Sequence, residues 1–184
     1  GEAGGGGGRV LGRGDGRAQQ EGERNRGAGG VRVHPGPAGG DGGNRSGTHN
    51  LRMVNGHIGH DSTVGDRCVI ANNVMLAGHV VMGINVVMSA GAAAHHYVRI
   101  GDHVFIGAYS RVHMDIAPFV KIQDDTVWDT NTLGLQRCGF VEADIEAIDD
   151  AVRLLFISKK VPFAQAIAAF EAASGTDAGA ARIC

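Results

Sequence analysis

A period of six residues runs without interruption through the middle of this chain and constrains its fold more than any other feature. Cut from Ile58, residues 58–117 give ten hexads, from IGHDST to VHMDIA, and each begins with an aliphatic residue, Met or Ala. The fifth residue of every hexad is small or β-branched. An α-helix repeats every 3.6 residues and a strand every two, so neither element explains ten hexads in register.

Hexads of this kind are typical of a parallel β-helix, in which three of them close one triangular coil of 18 residues. The first residues then stack as an internal aliphatic ladder, and coil buries coil. We therefore expect an all-β solenoid with an α-helical tail. The solenoid is predicted over residues 31–130 and a C-terminal helical region over 131–184, with helices at 142–156 and 164–173, where apolar residues recur at helical spacing.

The N-terminal part has a different composition. Of the 31 glycines, 19 fall within residues 1–47, and residues 1–30 contain few apolar side chains. Burial of so little apolar surface does not offset the backbone entropy lost on folding. We expect residues 1–30 to be a largely disordered Gly- and Arg-rich segment. Ser46 and Arg52 occupy positions where ladder residues belong, which predicts fraying at that end of the solenoid.

Charge and cysteine content narrow the class of protein. Seventeen Lys and Arg against 19 Asp and Glu give a net charge of −2, which argues against a protein that binds nucleic acid through phosphate neutralisation. No run of 18 apolar residues and no signal peptide is evident, so we expect a cytoplasmic protein without a membrane span. Three cysteines at unrelated spacings predict reduced thiols rather than disulfides or a zinc motif.

Histidines are concentrated in the first predicted coils. Five of the nine fall between residues 57 and 96, namely His57, His60, His79, His95 and His96. Residues 18 apart lie above one another at about 4.8 Å. His60 should therefore lie beneath Gly78, and Asp61 beneath His79, so that the imidazoles gather along one edge.

This juxtaposition predicts acyl-transfer chemistry. An imidazole such as His60 can accept a proton at neutral pH, and Asp61 can orient it. Gly78 has no Cβ, so its N–H can face a developing oxyanion. Attack by a substrate hydroxyl in a ternary complex fits better than a covalent acyl-enzyme, because the fifth-position residues point into the core. These include Ser62, Cys68 and Ser110.

Clustered histidines also bind metals, and gamma-class carbonic anhydrases hold zinc between subunits on the same repeat. His60 and His96 match the first interval of that pattern. The third ligand position falls on Gly101. We therefore expect no metal.

Two segments carry a specific resemblance to a known family. NGHIGHDSTVGDRCVIANNVMLAGHV, residues 55–80, is similar to the active-site segment of the UDP-N-acetylglucosamine O-acyltransferases of lipid A biosynthesis, and the likeness continues through HHYVRIGDHVFIGAYSRV. It covers residues 22–173 and is clearest over 50–120. The resemblance implies a left-handed coil and a member truncated or degraded at the N-terminus.

The resemblance also implies roles for particular residues. His60 would take the proton from the glucosamine 3-hydroxyl, with Asp61 as its partner and Gly78 as the oxyanion amide. Sugar and nucleotide contacts would fall to His57, His79, His95, Asn131 and Arg137. Ala108, often Gly in relatives, would shorten the acyl groove.

The implied partners are UDP-N-acetylglucosamine and an acyl carrier protein that bears a 3-hydroxyacyl thioester on its phosphopantetheine; no other cofactor is implied. The family's sites lie between protomers of a homotrimer. Basic residues that could dock the acidic carrier protein are Arg99, Arg111, Arg137, Arg153, Lys159 and Lys160.

Several departures from the family pattern keep alternatives open. Leu133 stands where an acidic residue is usual, Cys138 replaces a basic one, and the first coils are replaced by the glycine-rich stretch. The second interpretation is a different hexapeptide acyltransferase of the N-acyl or acetyl-CoA type. The third is an inactive trimeric scaffold.

Overall fold

The computed structural model describes residues 26–27, 32–33, 43–158 and 162–173. Predictions for the remainder of residues 1–30, for Lys159 and Lys160, and for the C-terminal end beyond residue 173 lie outside the described residues.

The described chain forms a parallel β-solenoid built from very short strands, followed by a hairpin and helices. The strands are β1 (Arg26–Gly27), β2 (Arg32–Val33), β3 (Arg45–Ser46), β4 (Leu51–Arg52), β5 (His57–Ile58), β6 (Thr63–Val64), β7 (Val69–Ile70), β8 (Met75–Leu76), β9 (Val81–Met82), β10 (Val87–Met88), β11 (Ala93–Ala94), β12 (Arg99–Ile100), β13 (Phe105–Ile106), β14 (Arg111–Val112), β15 (Val120–Gln123) and β16 (Thr126–Thr130).

Three sheets form the faces of the described solenoid. The first sheet has the order β1-β4-β7-β10-β13-β15-β16, the second β14-β11-β8-β5-β2 and the third β12-β9-β6-β3. From β3 to β14, consecutive strands therefore lie on different faces, and the chain turns a corner after each one. His57 pairs with Met75, and Met75 with Ala93, which is the predicted register of 18 residues per coil. The predicted β-helix is confirmed.

The core is the predicted ladder. All ten first-position residues from Ile58 to Val112 are at most 4% exposed, and the fifth-position residues, including Cys68 and Ser110, are buried with them. Removal of this apolar surface from water is the main stabilising contribution to each coil. Ser62 and Cys68 hydrogen-bond carbonyls one coil above, so they lie in the core as predicted.

A left-handed backbone residue stands at the fourth position of every hexad from Asn55 to Tyr109, with φ between +54° and +70°. This conformation reverses the chain direction sharply enough to start the next face. It costs L-residues about 1 kcal/mol or more and is best tolerated by Gly, Asn and Asp. The sequence pattern does not reveal this requirement, because His, Tyr and Arg also occupy the position.

Polar side chains close the described N-terminal end of the core. Asn50 is 1% exposed, and its amide nitrogen donates to Ser46 Oγ and to the Gly47 carbonyl, each at 3.1 Å. Its Oδ1 accepts from the Cys68 N–H at 2.7 Å, and Arg52 donates to Ser46 Oγ. Ser46 and Arg52, the two polar residues at ladder positions, are therefore hydrogen-bonded to each other.

The solenoid ends in elements without the six-residue period. Phe105 pairs with Lys121, so the last coil is two residues shorter than the others, and β15 turns back as an antiparallel hairpin with β16. Helices follow at α1 (Thr132–Arg137), α2 (Glu142–Val152) and α3 (Phe163–Ala173), and a π-helical turn, Arg153–Ile157, extends α2. No helix among the described residues is long and apolar enough to cross a membrane.

Candidate active site

One corner of the solenoid gathers most of the predicted site residues. It joins the second sheet to the third, because the chain passes there from β5 to β6, from β8 to β9 and from β11 to β12. We call it the histidine corner. It holds His60 and Asp61 in one coil, Gly78 and His79 in the next, and His95 in the third, with His57 at its edge on β5.

The His60 and Asp61 side chains form a hydrogen-bonded pair. His60 Nδ1 lies 2.7 Å from Asp61 Oδ2. Adjacent residues can meet in this way because Asp61 occupies the left-handed position, with φ of +58°. The His60 side chain is 46% exposed and that of Asp61 16%, so the imidazole is accessible while the carboxylate is largely covered.

Gly78 lies against the opposite edge of the His60 ring. A Cβ built on Gly78 would stand 2.8 Å from both His60 Cε1 and His60 Nε2, which is closer than any real contact. The ring can therefore occupy this position only when the residue one coil above it is a glycine. The Gly78 N–H donates no hydrogen bond to any described residue, whereas its carbonyl accepts from the Tyr97 N–H at 3.2 Å.

The neighbouring imidazoles extend the corner along the solenoid axis. His79 Nε2 lies 3.9 Å from Asp61 Oδ2, and its ring meets that of His60 edge-on at 5.0 Å. Tyr97 stacks on His79 at 4.6 Å, with the two rings nearly parallel. His95 contacts His96, one residue on, at 5.2 Å.

A pocket of about 400 Å³ opens beside His60 and Gly78. Its polar lining includes His57, His60 and His96, and its apolar lining includes Met75 and Ala93. A pocket with a few convergent polar groups on an apolar wall is typical of a ligand site. Its volume and lining suit a small polar group with an apolar substituent.

Three predicted site residues do not lie at this corner of the protomer. Ala108 is exposed at the corner between β13 and β14, which joins the first sheet to the second. Asn131 caps α1, accepts from the Gly134 N–H at 3.3 Å and donates to the His103 carbonyl at 2.7 Å. Arg137 is exposed at the end of α1, as are Leu133 and Cys138 nearby.

The four described basic residues of the predicted docking patch lie on four different elements. Arg99, Arg111 and Arg137 are exposed. Arg153 is held by Asp149 at 2.7 Å and approached by Asp129 at 3.8 Å. Its charge is therefore partly neutralised within the protomer.

Cys68 takes no part in the corner. It is fully buried, and desolvation is the main cause that raises the pKa of its thiol to about 11. A thiol in that state supplies no thiolate at neutral pH. The prediction that Cys68 is a core residue is confirmed.

Sequence reasoning did not assign roles to Tyr97 or Met75. Tyr97 lies two coils above Asp61 at the same left-handed position, so the 18-residue register could have indicated its stacking on His79. Met75 is 54% exposed because it precedes a ladder residue and faces outward. An exposed methionine at an outward strand position was the available signal.

Comparison with known proteins gives a consistent result. A family model described as UDP-N-acetylglucosamine O-acyltransferase, domain 2, matches residues 115–184. Two strains of Anaeromyxobacter dehalogenans have a relative named as an acyl-acyl-carrier-protein UDP-N-acetylglucosamine O-acyltransferase. It is 38% identical over 142 residues, which are 76% of this chain and 55% of the relative.

Solved structures show the same similarity. The UDP-N-acetylglucosamine O-acyltransferase of Moraxella catarrhalis is 31% identical with a TM-score of 0.75, over 83% of this chain and 60% of that one. The Arabidopsis UDP-N-acetylglucosamine acyltransferase is 27% identical with a TM-score of 0.69, over 77% of this chain and 58% of that one.

The coiled fold and its six-residue period place the chain among the hexapeptide-repeat β-helix proteins. Within that class the chain is similar to UDP-N-acetylglucosamine O-acyltransferases, at the identities and coverages given above. It spans about half the length of the relatives it matches, 55% of those from Anaeromyxobacter dehalogenans.

Proposed function

We propose that this chain transfers a 3-hydroxyacyl group from the phosphopantetheine thioester of acyl carrier protein to the glucosamine 3-hydroxyl of UDP-N-acetylglucosamine. The reaction is the first step of lipid A synthesis and is expected in the cytoplasm. The observation that carries the proposal is the 2.7 Å contact of His60 Nδ1 with Asp61 Oδ2, while the Nε2 edge of the same ring faces Gly78.

The contact with Asp61 assigns the tautomer of His60. A carboxylate accepts hydrogen bonds and does not donate them, so Nδ1 carries the proton and Nε2 keeps a lone pair. Nε2 takes the proton of the sugar hydroxyl as its oxygen attacks the thioester carbonyl. The tetrahedral intermediate then expels the phosphopantetheine thiolate, which receives that proton from His60.

The developing oxyanion needs a donor close to the base. Gly78 is next to the His60 ring and its N–H donates to no described residue, so this N–H can stabilise the anion as it forms. His57 lines the pocket, and His79 and His95 lie at the same corner, so these three imidazoles are the proposed contacts of the sugar and diphosphate.

The remaining site residues support a homotrimer. Asn131, Arg137 and Ala108 follow strands of the first sheet, whereas the histidine corner joins the other two sheets. Residues on separate edges of one solenoid can serve a common site when neighbouring protomers meet edge to edge around a threefold axis. In this arrangement Arg137 binds the nucleotide in the site of the neighbouring protomer, and Ala108 closes the acyl groove of that same site.

The direct test is acyl transfer from 3-hydroxyacyl carrier protein to UDP-N-acetylglucosamine by the purified chain. Loss of the general base in His60→Ala should lower the rate by about 10² to 10⁴. His49→Ala is the matched control, because His49 is an exposed histidine at another corner and contacts Thr48. It should retain the full rate.

Each other outcome would contradict the proposal. Equal background rates for the unmodified chain and His60→Ala would favour an inactive scaffold. Transfer to an amino sugar or from acetyl-CoA, with none to UDP-N-acetylglucosamine, would favour a different hexapeptide acyltransferase.

Acyl-chain length provides a separate prediction. The Ala108 methyl should shorten the chain that the groove accepts, so Ala108→Gly should shift the preferred donor toward longer chains. Relative kcat/KM values for a series of 3-hydroxyacyl donors measure this shift. An unchanged preference would remove Ala108 from the groove.

A further inference from the structure

The histidine corner also brings together three side chains that can ligate one metal ion. Among the described residues, one group of this kind is present: the ligand atoms of His60, Asp61 and His79 all lie within 4.8 Å of one another. The closest contacts are 2.7 Å between His60 Nδ1 and Asp61 Oδ2, and 3.9 Å between Asp61 Oδ2 and His79 Nε2.

A second observation points to a cation. Asp61 Oδ1 is buried and accepts no hydrogen bond from any described residue. A covered carboxylate oxygen without a donor is costly, and an adjacent cation compensates it. The two imidazoles that flank Asp61 are 46% and 38% exposed, so an ion can reach the group from solvent and the rings can adjust to it.

The donor set selects the ion. Two imidazole nitrogens and one carboxylate oxygen suit Zn²⁺, whereas Mg²⁺ prefers oxygen ligands. Tetrahedral bonds of roughly 2.0 to 2.1 Å separate ligand atoms by about 3.3 Å, so the 2.7 Å contact must widen and the 3.9 Å contact must shorten, each by about 0.6 Å.

We propose that His60, Asp61 and His79 form an inhibitory zinc site, with water as the fourth ligand. Zinc on Nδ1 replaces the hydrogen bond to Asp61. The neutral imidazole then carries its proton on Nε2. The lone pair that would accept the substrate proton is gone, so the bound ion blocks the base without covering the pocket.

The inhibitory half of this inference rests on the proposed function, whereas the zinc site stands on its own. The binding test uses the full chain after chelator treatment and dialysis, titrated with Zn²⁺ in competition with a chromophoric chelator. One ion per protomer is expected. His79→Asn, in which the new residue tolerates the left-handed backbone, should weaken zinc binding at least 10-fold.

His113→Asn is the matched control. His113 Nδ1 also lies 2.7 Å from a carboxylate oxygen, that of Asp125, but no third ligand completes a group there among the described residues. Its zinc affinity should equal that of the unmodified chain. Equal affinity in His79→Asn, or absence of a bound ion in the unmodified chain, would overturn the site.

The activity arm compares each protein with and without zinc. Saturation of the site should bring acyl transfer to background, excess chelator should restore it, and the same concentration of Mg²⁺ should leave it unchanged. Full activity with zinc bound at one ion per protomer would overturn the inhibition. A metal-free chain without acyl transfer would refute the proposed function instead, and the binding titration would still decide the site.

Discussion

Single residues at the histidine corner meet requirements of backbone and side chain at once. Asp61 adopts a left-handed φ and thereby reaches the ring of the residue before it. Gly78 leaves the space that this ring occupies. The 18-residue register predicted that Gly78 would lie above His60, because strand stacking depends on chain spacing alone, and Asp61 was predicted as a partner because it is the next residue. The direction of the ring could not be predicted, because a rotamer depends on local contacts that periodicity does not specify.

The steric role of Gly78 gives a prediction at this scale. Gly78→Ala should displace the His60 ring, since its Cβ would lie 2.8 Å from Cε1 and Nε2, and should lower acyl transfer by at least about 10-fold. The fold should survive, because the clash involves a mobile ring rather than backbone. Activity and thermal unfolding are measured together.

Substitutions at two other glycines are the controls for that experiment. A Cβ at Gly43 meets nothing within 4 Å, so Gly43→Ala should change neither property. A Cβ at Gly59 would meet the Ala77 and Gly78 backbone at 2.5 to 2.7 Å, so Gly59→Ala should lower the unfolding temperature. If Gly78→Ala unfolds as readily as Gly59→Ala, the ring is not what that glycine accommodates.

At the scale of elements, the coils were predictable and the C-terminal part was predictable only in outline. Ten hexads specify the ladder from Ile58 to Val112 because every coil buries the residues at the same hexad positions. Helix α1 was missed, because six residues with a central Gly134 carry too little periodicity, and its stability depends on the Asn131 cap. The hairpin of β15 and β16 was missed because it pairs with the last coil rather than repeating it.

Asp149 joins three of these C-terminal elements. It accepts a hydrogen bond from Thr130 Oγ1 of β16 at 2.7 Å and another from Arg153 Nε of the π-helical turn at 2.7 Å. Partial desolvation raises its pKa, but these hydrogen bonds outweigh that effect and hold the pKa below the ordinary value of 3.8. A carboxyl group with a lowered pKa stabilises the folded state above its unfolded pKa, and that contribution is lost as the pH falls through the folded one.

Asp149→Asn should therefore lower the free energy of unfolding at pH 7 by about 1 kcal/mol, a modest value because solvent screens the pair with Arg153. The difference from the unmodified chain should shrink below about pH 4 and vanish at lower pH. Denaturant unfolding at several pH values measures it. A constant difference across that range would mean that the ionised carboxylate is not the stabilising species.

At the scale of the described molecule, the predicted site residues lie apart within one protomer. His60 lies at the corner between the second and third sheets, whereas Arg137 ends helix α1 beyond the solenoid, and the sequence predicted their joint role only through resemblance. Spacing along a chain describes one protomer, so it cannot indicate which edges meet between copies.

Mixing two inactive variants tests the shared site. His60→Ala and Arg137→Ala should each be inactive alone. Co-refolded in equal amounts, they should form mixed trimers in which about one quarter of the sites contain both intact residues. Recovery of about a quarter of the full rate is expected. No recovery, with trimers present by light scattering, would place both residues in the site of a single protomer.

The left-handed residue at each corner has a consequence for thermal resistance. Asp61, His79 and Tyr97 all hold a positive φ that glycine adopts without strain. Selection for heat tolerance alone would thus favour glycine at these three places, and each gain would remove a carboxylate or an aromatic ring. Thermal stability and the side chains of the histidine corner therefore place opposing demands on the same backbone positions.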